Sequence, residues 1–178
     1  MKLVWIGTLV LLFASLASLV RGGNAGALVQ RSSLQASSVI PETRLTEIER
    51  ATPLYTTRLF ESFPQPIREK LVHRMWSAVE LITFRSLVLL HLAPALLLLV
   101  LIGLLEGCWA QANPTRLIRI HSPMRFSLAL TGLGSIPILA LLWITAPIAI
   151  PAILLVLIIG ILAISNTRNI IVHAPTQF

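Results

Sequence analysis

From Phe126 to Thr167 the chain runs 42 residues without a single Asp, Glu, Lys or Arg. A charge-free apolar stretch of about 18 or more residues is what the hydrocarbon core of a bilayer requires of a helix. Two further runs, Ser86 to Leu105 and Leu3 to Val20, have the same character. In lipid the backbone must satisfy its own polar groups, which leaves helices or closed barrels. Continuous apolar runs, rather than short alternating ones, select the helix. The expected fold class is therefore all-α: an integral membrane helical protein of about four spans, or three if residues 1–27 are a cleaved signal, with an external amphipathic helical segment.

Composition narrows the function classes. Of 178 residues 56% are hydrophobic and only 12% charged, where a soluble domain carries roughly 25% charged residues. An ordinary soluble enzyme is excluded on that ground. The net charge of +7 matches a membrane with anionic headgroups better than a nucleic acid, given the apolar bulk. Direct nucleic-acid binding is not expected. Cys108 is the only cysteine, which excludes an intrachain disulfide and a Cys-only metal site, and no base stands in a pattern that would activate its thiol.

Along the chain, residues 1–20 read as a first membrane helix or as a signal peptide. The apolar run is long for a signal core, yet small residues suited to cleavage stand at Ser15/Ala17 and Ala25/Ala27. Residues 21–85 form an external region. Its first part, residues 21–40, is rich in Gly, Ser, Gln and Ala and reads as a flexible connection. A helix starts at Pro41 with Leu45 and Ile48 on one face, is interrupted at Thr52-Pro53, and resumes to Phe63. Pro64-Gln-Pro66 is a break. From Pro66 the stripe Ile67, Leu71, Met75, Ala78, Ile82 predicts an amphipathic helix that runs without a breaker into the span 86–105. Trp76 and Arg85 are expected near the headgroup level, where an amphipathic ring and a long cation are favourable.

Residues 106–126 read as a basic cytoplasmic loop. Residues 127–165 read as a membrane hairpin, Ser127–Ile144 and Ala152–Ile164, because Pro147 and Pro151 remove backbone donors between the arms. The second arm is short, roughly 20–22 Å at 1.5 Å per residue, and residues 166–178 read as a polar tail. With Lys2 inside, the inner side carries Lys2, Arg116, Arg119, Arg125 and Arg168, and the outer segment carries nine cations. Segments beyond about 60 residues escape the positive-inside rule, so N-in/C-in is the orientation adopted.

Few residues are placed for chemistry. His91 is the only ionisable side chain inside an expected span, and an intramembrane ionisable group is a functional hypothesis by default. A proton relay or a haem ligand is one reading. The plainer one is a neutral imidazole hydrogen-bonded to a neighbouring helix or to a carbonyl freed by Pro94. Gly103 and Gly107 form a Gly-xxx-Gly pair for close helix packing, with a helix C-cap at Gly107 as the rival. Ser127, Thr131 and Ser135 recur every four residues with Gly134 beside them, a seam that is internal or faces a partner, a second copy of the chain included. Glu106, Arg116, Arg119 and Arg125 suit contact with headgroups or with an acidic partner. No catalytic, cofactor or metal-binding set is evident, and no cofactor is expected.

Phe84-Arg85-Ser-Leu-Val-Leu-Leu, then Pro94, then Gly103-Leu-Leu-Glu106-Gly107 give residues 66–165 a likeness to a known family. The stretch resembles a family of integrating-conjugative-element membrane proteins of uncharacterised domain, encoded beside type IV secretion genes. Arg116, Arg119, His121, Pro147 and Pro151 stand where that family has an arginine-bearing loop with a histidine and a hairpin with prolines at its tip. The chain departs from it in having Ala-Asn-Pro-Thr and Ile-His-Ser-Pro where the family has a Gly-Gly-Arg-Glu-Ser-like stretch and a Tyr-His pair. The resemblance implies a non-enzymatic structural or accessory subunit of a multi-pass complex in a bacterial inner membrane, with other membrane subunits as partners. The competing expectation, from residues alone, is a small transporter or channel with His91 and the Pro94 kink at its polar site.

Overall fold

The computed structural model describes residues 2–21, 25–113 and 122–174. Among them every regular element is an α-helix: α1 (Lys2–Arg21), α2 (Ala25–Ala36), α3 (Glu42–Glu61), α4 (Gln65–Ala112), α5 (Pro123–Thr145) and α6 (Ala152–His173). Three of them are long and apolar enough to cross a membrane: Met75–Ala112 within α4, and all of α5 and α6. The chain is a helical membrane protein. In α1 the stretch Leu9–Val20 is apolar but shorter.

Residues 25–36 were expected to be a flexible connection and are helical instead. The reason is packing: Leu28 and Val29 lie against Leu19, Ala78 and Leu81, while Ser32, Ala36 and Ile40 are buried. Tertiary contacts outweigh the weak intrinsic helicity of a Gly- and Ser-bearing segment. The break expected at Thr52-Pro53 is also absent, and α3 passes through Pro53. A proline inside a helix costs about 3 kcal/mol. Leu45, Ile48 and Phe60, on both sides of it, are buried, and each such side chain contributes roughly 1.5–3 kcal/mol. The face outweighs the lost bond.

α4 has 48 residues, roughly 70 Å at 1.5 Å per residue, and Pro94 lies inside it. The stripe from Ile67 onwards and the apolar run after Ser86 thus belong to one helix. α4 continues to Ala112 and α5 begins at Pro123, so the expected 106–126 loop is shorter from both ends. Ser122 caps α5, its Oγ accepting from the Arg125 backbone N–H at 3.3 Å. α6 does not stop near Ile164 but runs to His173. Thr167, Val172 and His173 are buried on it, so that part of the expected tail belongs to the helix.

The chain divides into two compact units, Met1–His91 with Ala140–Leu155, and Leu92–Leu139 with Val156–Phe178. α4, α5 and α6 each contribute residues to both. In the first unit Leu81, Phe84, Val88 and Ile48 are almost fully buried, and Phe60 stacks on Trp76 with ring centroids 5.5 Å apart. Trp76 therefore packs on α3. In the second unit the buried residues include Leu92, Ala110, Ala129, Ile159, Ala163 and Val172.

Candidate functional site: a buried arginine at the hairpin turn

α5 ends at Thr145 because Pro147 cannot donate a backbone hydrogen bond and disfavours helical geometry at Ala146. A helix end leaves its last four carbonyls without intrahelical partners, and where they are buried such acceptors need donors from the protein. Side chains meet the need here. Thr145 Oγ1 donates to Leu141 O at 3.0 Å and reaches Leu142 O at 3.5 Å. Arg85 Nη1 donates to Trp143 O at 2.9 Å, to Ile144 O at 3.3 Å and to Ala146 O at 2.6 Å. Ser15 Oγ, on α1, donates to Thr145 O at 2.6 Å. Beyond the helix, Arg85 Nη2 donates to Ile148 O at 2.8 Å and to Ser32 Oγ at 3.4 Å. Trp143 Nε1–H donates to Ile150 O at 3.0 Å.

Arg85 is 0% exposed, and among the described residues it makes no ion pair. Its charge is met by carbonyl oxygens, by the negative end of the α5 dipole, worth roughly half an elementary charge, and by the face of Trp143, whose ring centroid lies 5.5 Å from Cζ. A planar fork with five donors fits several divergent carbonyls in a way that an ammonium does not. The sequence reading placed Arg85 at the headgroup level as a snorkelling cation. The structure buries it, as the cap that ties α2, α4 and the α5–α6 turn together, while Ser15 ties α1 to the same turn. Nη1 and Nη2 are engaged, and Nε alone lacks a partner among the described residues. The contact brings the Arg85 end of the α4 span and the turn between α5 and α6 together, as antiparallel spans require.

The other sequence candidates are distributed as follows. His91 is exposed, and its Nδ1 lies 3.0 Å from Leu87 O on its own helix, so neither the Leu90 carbonyl nor another helix holds it. Gly103 meets α6 closely: a Cβ there would stand 2.8 Å from Ile164 O and 2.9 Å from Ile164 Cα. At Gly107 a Cβ would stand 3.0 Å from Ile171 Cβ and 3.3 Å from Arg168 Cα. Gly107 lies within α4, which runs on to Ala112, so it is a packing position and not a cap.

The Ser127, Thr131, Gly134, Ser135 seam is not brought against another helix. Gly134 has open space around it; Ser127 and Thr131 are exposed. Thr131 Oγ1 donates to Ser127 O at 2.9 Å and Ser135 Oγ to Gly132 O at 2.6 Å. The glycine of α5 that does meet α6 is Gly132, where a Cβ would fall 2.5 Å from Asn166 Nδ2. Glu106 pairs with Arg168 at 3.3 Å, both about half exposed. Arg125 is exposed, and Arg116 and Arg119 lie outside the described residues. Among the described residues no three metal-ligating side chains gather.

Sequence reasoning missed Arg85, Ser15, Ser32 and Asn166 as structural residues. The available signal for Arg85 was the pairing of a cation at the edge of an apolar run with a turn whose two prolines leave acceptors unfilled. Compared with protein families, curated proteins and solved structures, the chain matches none.

Proposed function

We propose that this chain is a non-catalytic structural subunit of a multiprotein complex in a bacterial inner membrane, of the kind that builds conjugative or type IV secretion machinery. The observation that carries the reading is the use made of Arg85. The strongest polar group buried at the candidate spans is given over to the chain's own backbone carbonyls, which is an architectural role and not one of binding or turnover. The outward small-residue ridge of α5, with open space at Gly134, supports it further, since small residues let a partner backbone approach closely. The likeness of residues 66–165 to integrating-conjugative-element membrane proteins supplies the kind of assembly.

The test is cysteine cross-linking in intact membranes. In a Cys108→Ser background, Gly134→Cys should give a discrete adduct with another membrane protein at fixed stoichiometry, and Leu54→Cys on α3 should not. Co-purification after gentle detergent extraction should recover the same partner. A chain that purifies alone and monodisperse, with no adduct at residue 134, sinks the proposal.

A further inference from the structure

In the amino-acid sequence α1 fits a membrane helix or a removable signal, and its packing separates the two. The less exposed residues of its second half are Leu12, Ser15, Leu16, Leu19 and Val20. They recur at i, i+3, i+4, i+7 and i+8, the spacing of one packed helix face. That face has two partners in the first unit. Leu19 is buried against Ala78 and Leu81, with Val20, Leu28 and Val29 packed around them, and Ala78 and Leu81 belong to the candidate span Met75–Ala112. Ser15 Oγ donates to Thr145 O at 2.6 Å, at the end of the candidate span Pro123–Thr145. Of the carbonyls from Trp143 to Ala146, Thr145 O is the one that Arg85 does not reach. The outer side of α1 carries Leu9, Val10, Leu11 and Phe13, each more than half exposed. A helix apolar on its outer face as well as its packed one belongs in a membrane. The run Leu3 to Val20 has no charged residue, and 20 helical residues extend roughly 30 Å, the thickness of the hydrocarbon core.

We infer that α1 is a fourth membrane helix that stays attached in the mature protein, its outer face covered by lipid acyl chains and its inner face completing the donor set of the α5–α6 turn. A cut at either small-residue pair would undo that set. After Ala17 it would remove Ser15 and leave a new ammonium one residue from the buried Leu19. After Ala27 it would remove Ser15, Leu19 and Val20 and put the ammonium on Leu28, which packs against Ala78 and Leu81. Both cuts take from Thr145 O its Ser15 donor, and both bring a charge to an apolar cluster, which is costly without a partner. The inference does not depend on what the chain assembles with.

The full chain with a C-terminal tag, made in bacterial membranes and extracted in mild detergent, is weighed intact by mass spectrometry. A version with residues 1–27 exchanged for a cleavable secretory signal, made in parallel, shows that processing is active. The chain should keep α1, and a product beginning at Ser18 or Leu28 overturns the inference. Placement in lipid is read in nanodiscs, in a Cys108→Ser background. Val10→Cys should resist a water-soluble maleimide that labels Ser62→Cys, an exposed position just beyond α3, and equal labelling overturns the inference. The role at the turn is read by thermal unfolding. Ser15→Ala should melt about 2–4 °C below Ser18→Ala, the shift expected for one hydrogen bond in a chain of this size. Ser18 is exposed and its replacement brings the same gain in helix propensity. Equal melting of the two variants removes α1 from the donor set and overturns that part of the inference.

Discussion

The two units join their helices by opposite means. In the first, the α5–α6 turn is held by donors: Arg85, Ser15 and Trp143 together reach the carbonyls of Trp143, Ile144, Thr145, Ala146, Ile148 and Ile150. In the second, side chains are removed so that backbones can meet. At Gly103 of α4 a Cβ would meet α6 backbone, Ile164 O and Cα, and at Gly107 and at Gly132 of α5 it would first meet α6 side chains, Ile171 and Asn166. Each solution answers its own local problem. A turn with two prolines leaves carbonyls that are buried without helical partners, so donors are needed. In the second unit close backbone approach brings contact area and dispersion, with the half-exposed Glu106–Arg168 pair beside it.

That contrast can be broken at its strongest point. Replacing Arg85 with Leu strands four carbonyls, each of which it contacts within 3.3 Å, inside a buried site. The expected loss is about 3–5 kcal/mol, the range for deleting one partner of a buried charged network. Arg85→Lys should recover only part of it, because three tetrahedral donors cannot follow the fork. Thermal unfolding in detergent, followed by circular dichroism, measures both. A loss below about 1 kcal/mol for Arg85→Leu, the net value of one ordinary hydrogen bond, would mean that water already serves the turn.

Next in size is Gly103→Ala. Its Cβ would meet backbone atoms, Ile164 O and Cα, which move only if α6 does. Overpacking of that kind costs about 1–3 kcal/mol. Gly107→Ala meets Ile171 Cβ at 3.0 Å and Arg168 Cα at 3.3 Å, looser contacts than the two backbone atoms at Gly103, so it should cost less than Gly103→Ala in the same melt. A reversed order would show that α4 and α6 are not held at Gly103.

Gly134→Ala should move stability the other way. Nothing lies within 4 Å of its would-be Cβ, and Ala is favoured over Gly in a helix by about 1 kcal/mol. A rise in melting temperature of the isolated chain, together with weaker capture of a partner, would place the external seam on this ridge. A fall in stability would mean that α5 packs there within the chain itself. The smallest effect is expected at the Glu106–Arg168 pair, which is about half exposed. Glu106→Gln should cost roughly 0–1 kcal/mol and less in high salt, a check made by comparing melts at low and high ionic strength.

Much of the architecture was legible in the chain. The charge-free run ending at Thr167, split by Pro147 and Pro151, implied α5, a turn and α6. The unbroken stripe into Ser86 implied one long α4. The Gly103/Gly107 spacing marked a helix surface that α6 approaches. Three features were hidden. α2 has too little intrinsic helicity to be read without its contacts to Leu19 and Leu81. Pro53 is a breaker by rule, overridden by the buried face around it. The seam residues Ser127, Thr131, Gly134 and Ser135 have the spacing of an interface, but spacing says nothing of what stands opposite, and among the described residues a Cβ at Gly134 meets open space.

The sequence alone decided the solvent and the class of element, since transfer of charge into hydrocarbon is so unfavourable that 42 uncharged residues admit few other readings. Tertiary structure decided which polar groups are spent inside. Arg85 lies as near to the edge of an apolar run as any snorkelling cation does. Whether such a guanidinium turns to water or inward depends on acceptors contributed by a turn some sixty residues away, at Ala146 and Ile148. Local pattern carries no information about that distance, because it is a property of how the hairpin folds back and not of the residues beside Arg85.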